Sequence, residues 1–156
     1  MTEVAIFVDV QNIYYTTREG HGRRFDYNRF WAQATEGREV VAAYAYAIDR
    51  GDEKQRQFQN ILRAIGFEVK LKPFIQRSDG SAKGDWDVGI AIDVMDHLAT
   101  ADVIVLASGD GDFDLLLQRA EEQGTATEVY GVPALTAASL INSAGEFIPI
   151  QGELLL

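Results

Sequence analysis

Short apolar runs without internal charge recur along the chain, and segments with helical spacing separate them. Strands buried on both faces of a parallel sheet show this unbroken apolar pattern, whereas strands with one wet face alternate. Buried strands are therefore predicted at 4–8, 40–46, 103–107 and 127–130. The alternating segment 67–71 predicts a strand with one wetter face, and 146–150 predicts an edge strand because it contains Pro149.

Helices are predicted between these strands, at 27–35, 53–65, 87–99, 113–123 and 134–143. Gly66 and Gly124 follow two of them as C-caps. The alternation of strands and helices predicts an α/β fold of three layers, with a mostly parallel central sheet flanked by helices. No repeat or linker interrupts the pattern, so residues 1–156 are expected to form a single domain. The polar stretch 76–83 is expected to be an irregular, mobile loop.

The residue types that are missing exclude several classes of site. The 156 residues include no cysteine, which rules out disulfides, zinc–thiolate sites and cysteine nucleophiles. Two histidines, His21 and His97, leave little room for a histidine-built zinc site or a Ser-His-Asp triad. No apolar run approaches the ~20 residues of a membrane span and no secretory leader precedes the first strand, so a soluble, cytoplasmic protein is expected.

The two signs of charge are distributed unevenly along the chain. The net charge is −10, from 24 acidic and 14 basic residues. Residues 1–84 contain 13 of the 14 Lys and Arg residues, whereas residues 85–156 contain 13 Asp and Glu residues and only Arg119 as a base. Tight nonspecific nucleic-acid binding driven by charge alone is therefore not expected. A local basic rim beside an acidic, cation-dependent centre is compatible with this distribution.

Carboxylates directly follow two of the predicted buried strands. Asp9 ends the strand predicted at 4–8, with Asn12 three residues later, and Asp110 and Asp112 follow the strand predicted at 103–107. Ligands of open parallel sheets bind outside the carboxyl ends of the strands, so these side chains are expected at one edge. Glycines on both sides of Asp110 allow a tight turn there.

A third acidic group lies at the start of the predicted helix 87–99. A rotation of 100° per residue places Asp87 on the side of Ile90 and Val94, where the helix is expected to be buried. A buried carboxylate without a partner is costly, so Asp87 is expected to face a cation or hydrogen-bond donors. Asp93 lies on a polar face, turned away from Asp87. A second apolar face of this helix comprises Val88, Ala91, Ile92, Met95 and Ala99.

Convergence of these acidic groups would create a site for a divalent cation. Carboxylate oxygens suit Mg²⁺ or Mn²⁺, and such a metal can activate water and neutralise charge on a phosphodiester. An Asp-x-Asp loop alone is also explained as an Asp-capped turn, but three acidic groups at these topological positions favour the metal site. A haloacid-dehalogenase type of phosphohydrolase is disfavoured because Gln11 stands where a second aspartate is required. The absence of a G-x-x-x-x-G-K-[ST] loop disfavours a nucleotide-hydrolysing motor.

Three motifs, in their order and spacing, make the chain resemble the NYN domain family, in its LabA-like branch of the PIN-like nuclease superfamily. They are FVDVQN at 7–12, KGDWDVGIAIDV at 83–94 and SGDGDF at 108–113. With the elements between them, these motifs cover nearly the whole chain. The resemblance implies a Rossmann-like PIN fold and a ribonuclease centre that depends on Mg²⁺ or Mn²⁺.

The resemblance also implies roles for individual residues. The catalytic, metal-binding acids would be Asp9, Asp87, Asp110 and Asp112. Asn12 would be the polar neighbour of the first acid, and Ser108 the small hydroxyl residue that opens the loop motif. Asp93 matches a recurrent acid of the family. The additional acids Asp85 and Asp114 depart from the family pattern and can change metal affinity or pH dependence.

Cations and aromatic rings suited to single-stranded nucleic acid are present in the basic half of the chain. The predicted loop after the first motif offers Arg18, His21, Arg23 and Arg24, beside Tyr14 and Tyr15. The third strand and the loop after it offer Lys70, Lys72, Arg77 and Lys83, followed by Trp86. Ordinary surface charge is the alternative for the cations, and packing is the alternative for the indole. The residues predicted to bind substrate are Asn12, Ser108, Lys83, Arg23, Arg24 and Trp86.

These observations lead to two hypotheses about function. The first is a metal-dependent endoribonuclease that hydrolyses phosphodiester bonds of single-stranded or structured RNA at the aspartate cluster. The second is a catalytically weak regulatory module that binds RNA or a protein partner through the same acidic pocket. The apolar segment 154–156 is expected to pack either on the domain itself or on a second subunit, which leaves a homodimer open.

Overall fold

The computed structural model describes residues 1–73, 75–76, 82–83 and 85–156. In chain order its strands are β1 (Thr2–Asp9), β2 (Arg38–Asp49), β3 (Glu68–Pro73), β4 (Ile75–Gln76), β5 (Ala82–Lys83), β6 (Val103–Ala107), β7 (Ala126–Gly131) and β8 (Glu146–Pro149). Six of them form one sheet in the order β3-β2-β1-β6-β7-β8, and every neighbouring pair is parallel. The six predicted strands are thus confirmed, with β2 longer at both ends than the apolar run that predicted it.

The helices of the described residues are α1 (Val10–His21), α2 (Tyr27–Thr35), α3 (Glu53–Ile65), α4 (Asp87–His97), α5 (Asp114–Glu122) and α6 (Ala138–Ser143). Single 3₁₀ turns lie at Gly111–Phe113, Pro133–Leu135 and Gly152–Leu154. The bounds of α2 and α3 agree with the prediction. The predicted helix 134–143 is instead divided into a 3₁₀ turn and the short α6. None of these helices combines the length and apolar character that crossing a bilayer requires.

The sheet is covered by helices on both faces because successive side chains of each strand point to opposite sides. On one face, Val4, Ile6 and Val8 of β1 belong to a core that includes buried residues of the first three helices, Ile13, Phe30 and Leu62. On the other face, Ala5 and Phe7 belong to a core that includes residues of the last three helices, Ile90, Leu117 and Leu140. This arrangement confirms the predicted three-layer α/β architecture.

The direction of the strand order reverses between β1 and β6, which places a crevice at their carboxyl ends. From β1 the chain proceeds to β2 and β3 on one side, and from β6 it proceeds to β7 and β8 on the other. Val8 is in register with Ala107. The next residues, Asp9 and Ser108, therefore leave the sheet side by side at the position where ligands of doubly wound sheets bind.

Helix α1 corrects the sequence prediction, which placed a loop after the first motif. Its many β-branched and aromatic residues give it low intrinsic helix propensity. Tertiary packing overrides this preference, since Ile13 and Thr17 are buried and the Thr17 hydroxyl donates to the Ile13 carbonyl at 2.7 Å. Asp9 caps the start of the helix, and Gly22 ends it with φ 63°, a conformation that favours glycine.

The segment 76–83 was predicted to be an irregular loop, but its two ends form the short strands β4 and β5, whereas the packing of 154–156 was left open by the sequence. Within the first, Gln76 pairs antiparallel with Ala82, whereas Arg77 lies outside the described residues, as does the side chain of Lys83. In the second, Leu154 and Leu155 are buried in the core of the same chain, so this segment packs on the domain itself.

Candidate metal centre

Asp9 lies at the carboxyl end of β1, beside Ser108, and is buried. Its carboxylate accepts the Asn12 backbone N–H at 3.4 Å, as the cap of α1. It also accepts the Ser108 hydroxyl at 3.4 Å, across from the adjoining strand β6. These two donors fix the carboxylate at the junction of β1 and β6.

The loop that follows β6 is held against α1 by hydrogen bonds. The Asn12 side-chain carbonyl accepts the Gly109 N–H at 2.8 Å, and the Ser108 hydroxyl accepts the Asp110 N–H at 3.2 Å. A Cβ at Gly109 would lie 2.6 Å from the Leu135 carbonyl oxygen, so only glycine fits this approach. Asp110 in turn accepts the Asp112 N–H at 2.9 Å and caps the 3₁₀ turn.

Asp87 reaches the crevice from the first turn of α4. Its own N–H donates to the Asp85 carboxylate at 3.1 Å, so Asp85 orders the start of the helix. Ile90 and Val94 are completely buried beneath it, which confirms the face predicted for them. Asp87 itself is partly buried.

Three carboxylates converge at this point. One oxygen each of Asp87, Asp110 and Asp112 lies within 4.8 Å of the other two. Hard oxygen donors at such spacing fit Mg²⁺ or Mn²⁺, which bind through a few carboxylates and water. Within the described part of the chain the group comprises these three, and Asp9 lies beside it, connected through the Ser108 hydroxyl. The arrangement is thus compatible with a divalent cation.

The electrostatics of the cluster are those of crowded carboxylates. Burial, followed by repulsion from Asp110, raises the pKa of Asp87 to about 7. Burial is also the largest cause that raises the pKa of Asp9 to about 6, with repulsion from Asp110 adding to it. A carboxyl group near its pKa at neutral pH lacks compensating positive charge, which is the condition that a bound cation would relieve.

Asp93 points away from the cluster, as the helical plot predicts. Its carboxylate accepts the Lys70 ammonium at 2.7 Å and the Tyr46 hydroxyl at 2.8 Å. Lys70 also lies 4.3 Å from the centroid of the Tyr44 ring. Asp93 therefore links α4 to strands β2 and β3. Its partner Lys70 is one of the cations considered above as a contact for nucleic acid.

The basic residues predicted to contact substrate are dispersed. Arg23 is turned toward the end of the chain, where its guanidinium donates to the carbonyls of Leu155 and Leu156 at 3.1 and 2.9 Å. His21 and Arg18 lie on α1 rather than in a loop, and the His21 Nε2 atom is 2.9 Å from the Ile150 carbonyl oxygen. The predicted loop is thus helical as far as His21, and Arg23 and Arg24 follow the helix.

Other predicted contacts are partly engaged. Arg24 is exposed, and Tyr14 and Tyr15 are also exposed on α1. The Trp86 indole N–H donates to the Ala47 carbonyl at 2.9 Å. The Lys72 ammonium lies 4.5 Å from the centroid of that indole ring, so packing accounts for the position of Trp86.

The remaining hydroxyl and acidic side chains near the loop are ordered by short-range contacts. Ser108 is completely buried, which suits a group that connects Asp9 to the loop rather than one open to solvent. Asp114 accepts the N–H of Leu115 at 2.6 Å at the start of α5. The Asn12–Gly109 contact was not anticipated from the sequence, since spacing along a chain does not show which loop amide an asparagine will meet.

A model of the NYN domain matches residues 3–151. The chain belongs to the NYN domain family. It is 30% identical to the low amplitude and bright protein LabA of Synechococcus elongatus, over 96% of its own length and 84% of that protein. The resemblance predicted from the three motifs is thereby confirmed.

Solved structures agree with this membership. A crystal structure of a protein of unknown function from Vibrio parahaemolyticus superposes on the NYN domain with a TM-score of 0.95 and 54% identity, covering 99% of this chain and 96% of the other. Ribokinase from Giardia lamblia shares 14% identity at a TM-score of 0.50, covering 95% of this chain and 57% of that one, which shows a likeness of fold alone. The parallel sheet with helices on both faces is PIN-like and Rossmann-like, as expected.

Proposed function

We propose that this NYN domain is a metal-dependent ribonuclease that hydrolyses RNA phosphodiester bonds with Mg²⁺ or Mn²⁺ held by Asp87, Asp110 and Asp112. The observation that carries the proposal is the approach of three carboxylate oxygens to within 4.8 Å of one another at the switch point of the sheet. Such a cluster is unfavourable without a cation, because like charges at this distance repel. The family to which the chain belongs supports the same chemistry.

Each residue has a defined part in this proposal. The ligands would be the three clustered acids, with Asp9 adding negative charge from the adjoining strand. When bound, a divalent cation supplies Lewis acidity toward the phosphodiester and lowers the pKa of water. Asn12 and Ser108 hold the loop that presents Asp110, through the Gly109 and Asp110 amides. Preorganisation of this kind keeps the ligands in place before substrate arrives.

The RNA side of the proposal rests on helix α1 and its surroundings. Tyr14 and Tyr15 are exposed on this helix, which begins at Val10 with Asp9 as its N-cap and therefore places them about 8 Å along its axis from Asp9. Arg18 lies on the same helix, 5.4 Å from the Tyr14 ring centroid. Aromatic faces with a nearby guanidinium bind the bases and phosphates of single strands. Arg24 and Lys83 remain proposed contacts.

The test is cleavage of a labelled RNA by the wild-type protein and by Asp110→Asn, each in EDTA, Mg²⁺ and Mn²⁺. Thermal unfolding in the same buffers reports metal binding independently of turnover, because a metal that binds only the native state raises the midpoint. We expect Asp110→Asn to abolish both metal-dependent cleavage and metal-induced stabilisation. Glu39→Gln is the matched control, since it removes the same charge at the amino end of β2.

Undiminished cleavage by pure Asp110→Asn would refute the assignment of the cluster. Stabilisation by Mn²⁺ without turnover on any RNA would instead favour the second hypothesis, a regulatory module that uses the same acidic pocket for binding. The two readouts separate these outcomes because one measures metal occupancy and the other measures chemistry.

A further inference from the structure

Helix α4 is apolar on two faces, but only one of them is buried by the domain. Val88, Ile92 and Met95 follow one another at helical spacing and are 70%, 55% and 40% exposed. A helix at the surface of a soluble domain normally buries its apolar face and exposes polar residues on the rest of its surface. The exposed apolar face of α4 is therefore expected to be covered by a binding partner. Single apolar residues scattered on a surface need no such explanation, but these three form a continuous row.

This face continues into a groove between α4 and α5. The groove has a volume of about 530 Å³ and is open to solvent. Its apolar walls are formed by Ala91 and Met95 on α4 and by Leu115 and Leu116 on α5. Leu115 is 72% exposed. We refer to these side chains, with Val88 and Ile92, as the α4–α5 groove.

The charges around the α4–α5 groove are mainly negative. Asp112 and Glu122 line it, and Asp96 is exposed one turn after Ile92 on the same helix. The cation in the lining, Arg119, pairs with Glu122 at 3.9 Å. Residues 85–156, which include both helices, contain 13 acidic residues and this single arginine.

We infer that the α4–α5 groove binds a basic amphipathic helix of a protein partner. The apolar side of such a helix would cover the exposed row of α4 and Leu115, and its Lys and Arg residues would face the carboxylates of Asp96, Asp112 and Glu122. Met95 suits this role because its flexible thioether adapts to the shape of a bound helix. The combination of an apolar floor and an acidic rim selects the charge of the occupant.

The same negative charges disfavour two other occupants of the groove, a nucleic acid and a second copy of this chain. Nucleic acid lying in the groove would bring its phosphates against the carboxylates of Asp96 and Glu122, with Arg119 already paired. A second copy of this chain, related by two-fold symmetry, would bring the same acidic surface against itself. A basic helix avoids both repulsions. The inference does not require nuclease activity, although Asp112 belongs to both the groove and the carboxylate cluster.

The probe is a fluorescent helical peptide of about 18 residues with leucines on one face and lysines on the other. A second peptide keeps the leucines and replaces each lysine with glutamate. Anisotropy titrations with the full chain, in about 0.15 M salt, measure both affinities. We expect the Leu/Lys peptide to bind and the Leu/Glu peptide to bind at least about tenfold more weakly.

Substitution at the groove localises the binding. Ile92→Ser is expected to weaken the Leu/Lys peptide about tenfold, because it removes apolar area from the contact. Ile61→Ser is the matched control, since Ile61 lies on helix α3 with 54% exposure and carries the same side chain. Both positions are exposed, so both variants are expected to fold, which melting curves verify. Chemical-shift changes on adding peptide should fall on α4 and α5.

Several results would overturn the inference. One is failure of the Leu/Lys peptide to bind, and another is equal weakening by Ile61→Ser and Ile92→Ser. A concentration-dependent dimer in sedimentation that Ile92→Ser abolishes would identify a second copy as the occupant. Binding of a short RNA that Ile92→Ser weakens while the peptide is unaffected would identify nucleic acid.

Discussion

Two aspartates on helix α4, Asp87 and Asp93, have opposite surroundings. Asp87 lies among carboxylates, and burial together with Asp110 raises its pKa to about 7. Asp93 accepts a lysine ammonium at 2.7 Å and a tyrosine hydroxyl at 2.8 Å. The two residues are of the same type and belong to one helix, so the difference arises from what the sheet places opposite each of them.

The difference separates a carboxylate that holds the fold together from one that is available to a ligand. Asp93 has its charge balanced by Lys70, its Oδ2 atom accepts both the Lys70 ammonium and the Tyr46 hydroxyl, and it joins α4 to strands β2 and β3. Asp87 lies beside Asp110 and Asp112, where folding brings like charges together. Sites with such perturbed groups in a crevice are candidates for function. Substitutions at the two positions should therefore have opposite consequences.

The largest expected effect is on activity. Asp87→Asn should reduce metal-dependent RNA cleavage by about a hundredfold or more, since it removes one ligand of the cluster. Asp93→Asn, measured well below its melting temperature, should retain cleavage within about threefold, because its carboxylate contacts Lys70 and Tyr46 instead. Equal losses in the two variants would mean that the distinction between them is wrong.

The next effect is on stability and is expected at Asp93. Asp93→Ala should lower the free energy of unfolding by about 2 kcal/mol, because it leaves the Lys70 ammonium and the Tyr46 hydroxyl without their shared partner. Asp87→Asn should leave the metal-free protein as stable as the wild type or more so, since it removes a repelled charge. Urea unfolding in EDTA measures both, and a destabilised Asp87→Asn would contradict the account of crowded carboxylates.

The pH dependence of stability should report the same repulsion. The carboxyl groups of Asp87 and Asp9 have pKa values of about 7 and about 6 against a usual 3.8, so the folded chain binds protons that the unfolded chain has released. The stability that these two groups contribute to the folded state is fully present below about pH 4 and is lost as the pH rises through 6 and 7.

The difference in melting temperature between Asp87→Asn and wild type, without metal, should therefore grow by a few degrees from pH 4 to pH 7.5. Saturating Mn²⁺ should cancel or reverse this difference. A difference that does not change with pH would show that Asp87 is not repelled by its neighbours.

The smallest effect is expected at Tyr46. Tyr46→Phe removes one hydrogen bond to Asp93 while the lysine contact remains, so the unfolding free energy should fall by about 1 kcal/mol. Tyr44→Phe is a suitable comparison, because its hydroxyl lies 3.5 Å from the His97 Nε2 atom and makes only a marginal bond. Unfolding in urea should show the larger loss for Tyr46→Phe, and the reverse order would contradict the assigned partner of Asp93.

The strands and most helices could be predicted from the sequence because burial on both faces imposes a pattern that is visible without coordinates. Helix α1 could not, because its residues have low helix propensity and its stability comes from packing of Ile13 and Thr17 and from the caps at its two ends. For the same reason the loop predicted there is helical as far as His21. Propensity is a weak guide where tertiary contacts decide.

The placement of the acidic side chains in the candidate site could be predicted from the sequence better than the placement of the basic ones. Aspartates at the ends of β1 and β6 can be located by strand topology alone, since parallel strands deliver their carboxyl ends to one edge. Long basic side chains reach whichever acceptor the fold places within range. Arg23 meets the carbonyls of Leu155 and Leu156, more than a hundred residues away in the chain, and Lys70 meets Asp93. Spacing along the sequence contains no information about such encounters.

The sequence by itself determined the α/β class, the order of the acidic motifs and the face on which α4 is buried, because hydrophobic periodicity and strand ends are local properties. Only the tertiary structure decided which acids converge, which acid is paired, and that the row at Val88, Ile92 and Met95 is left uncovered. These outcomes depend on distances between elements far apart in the chain. Such distances are set by how the helices pack on the sheet and by the charges that packing brings together.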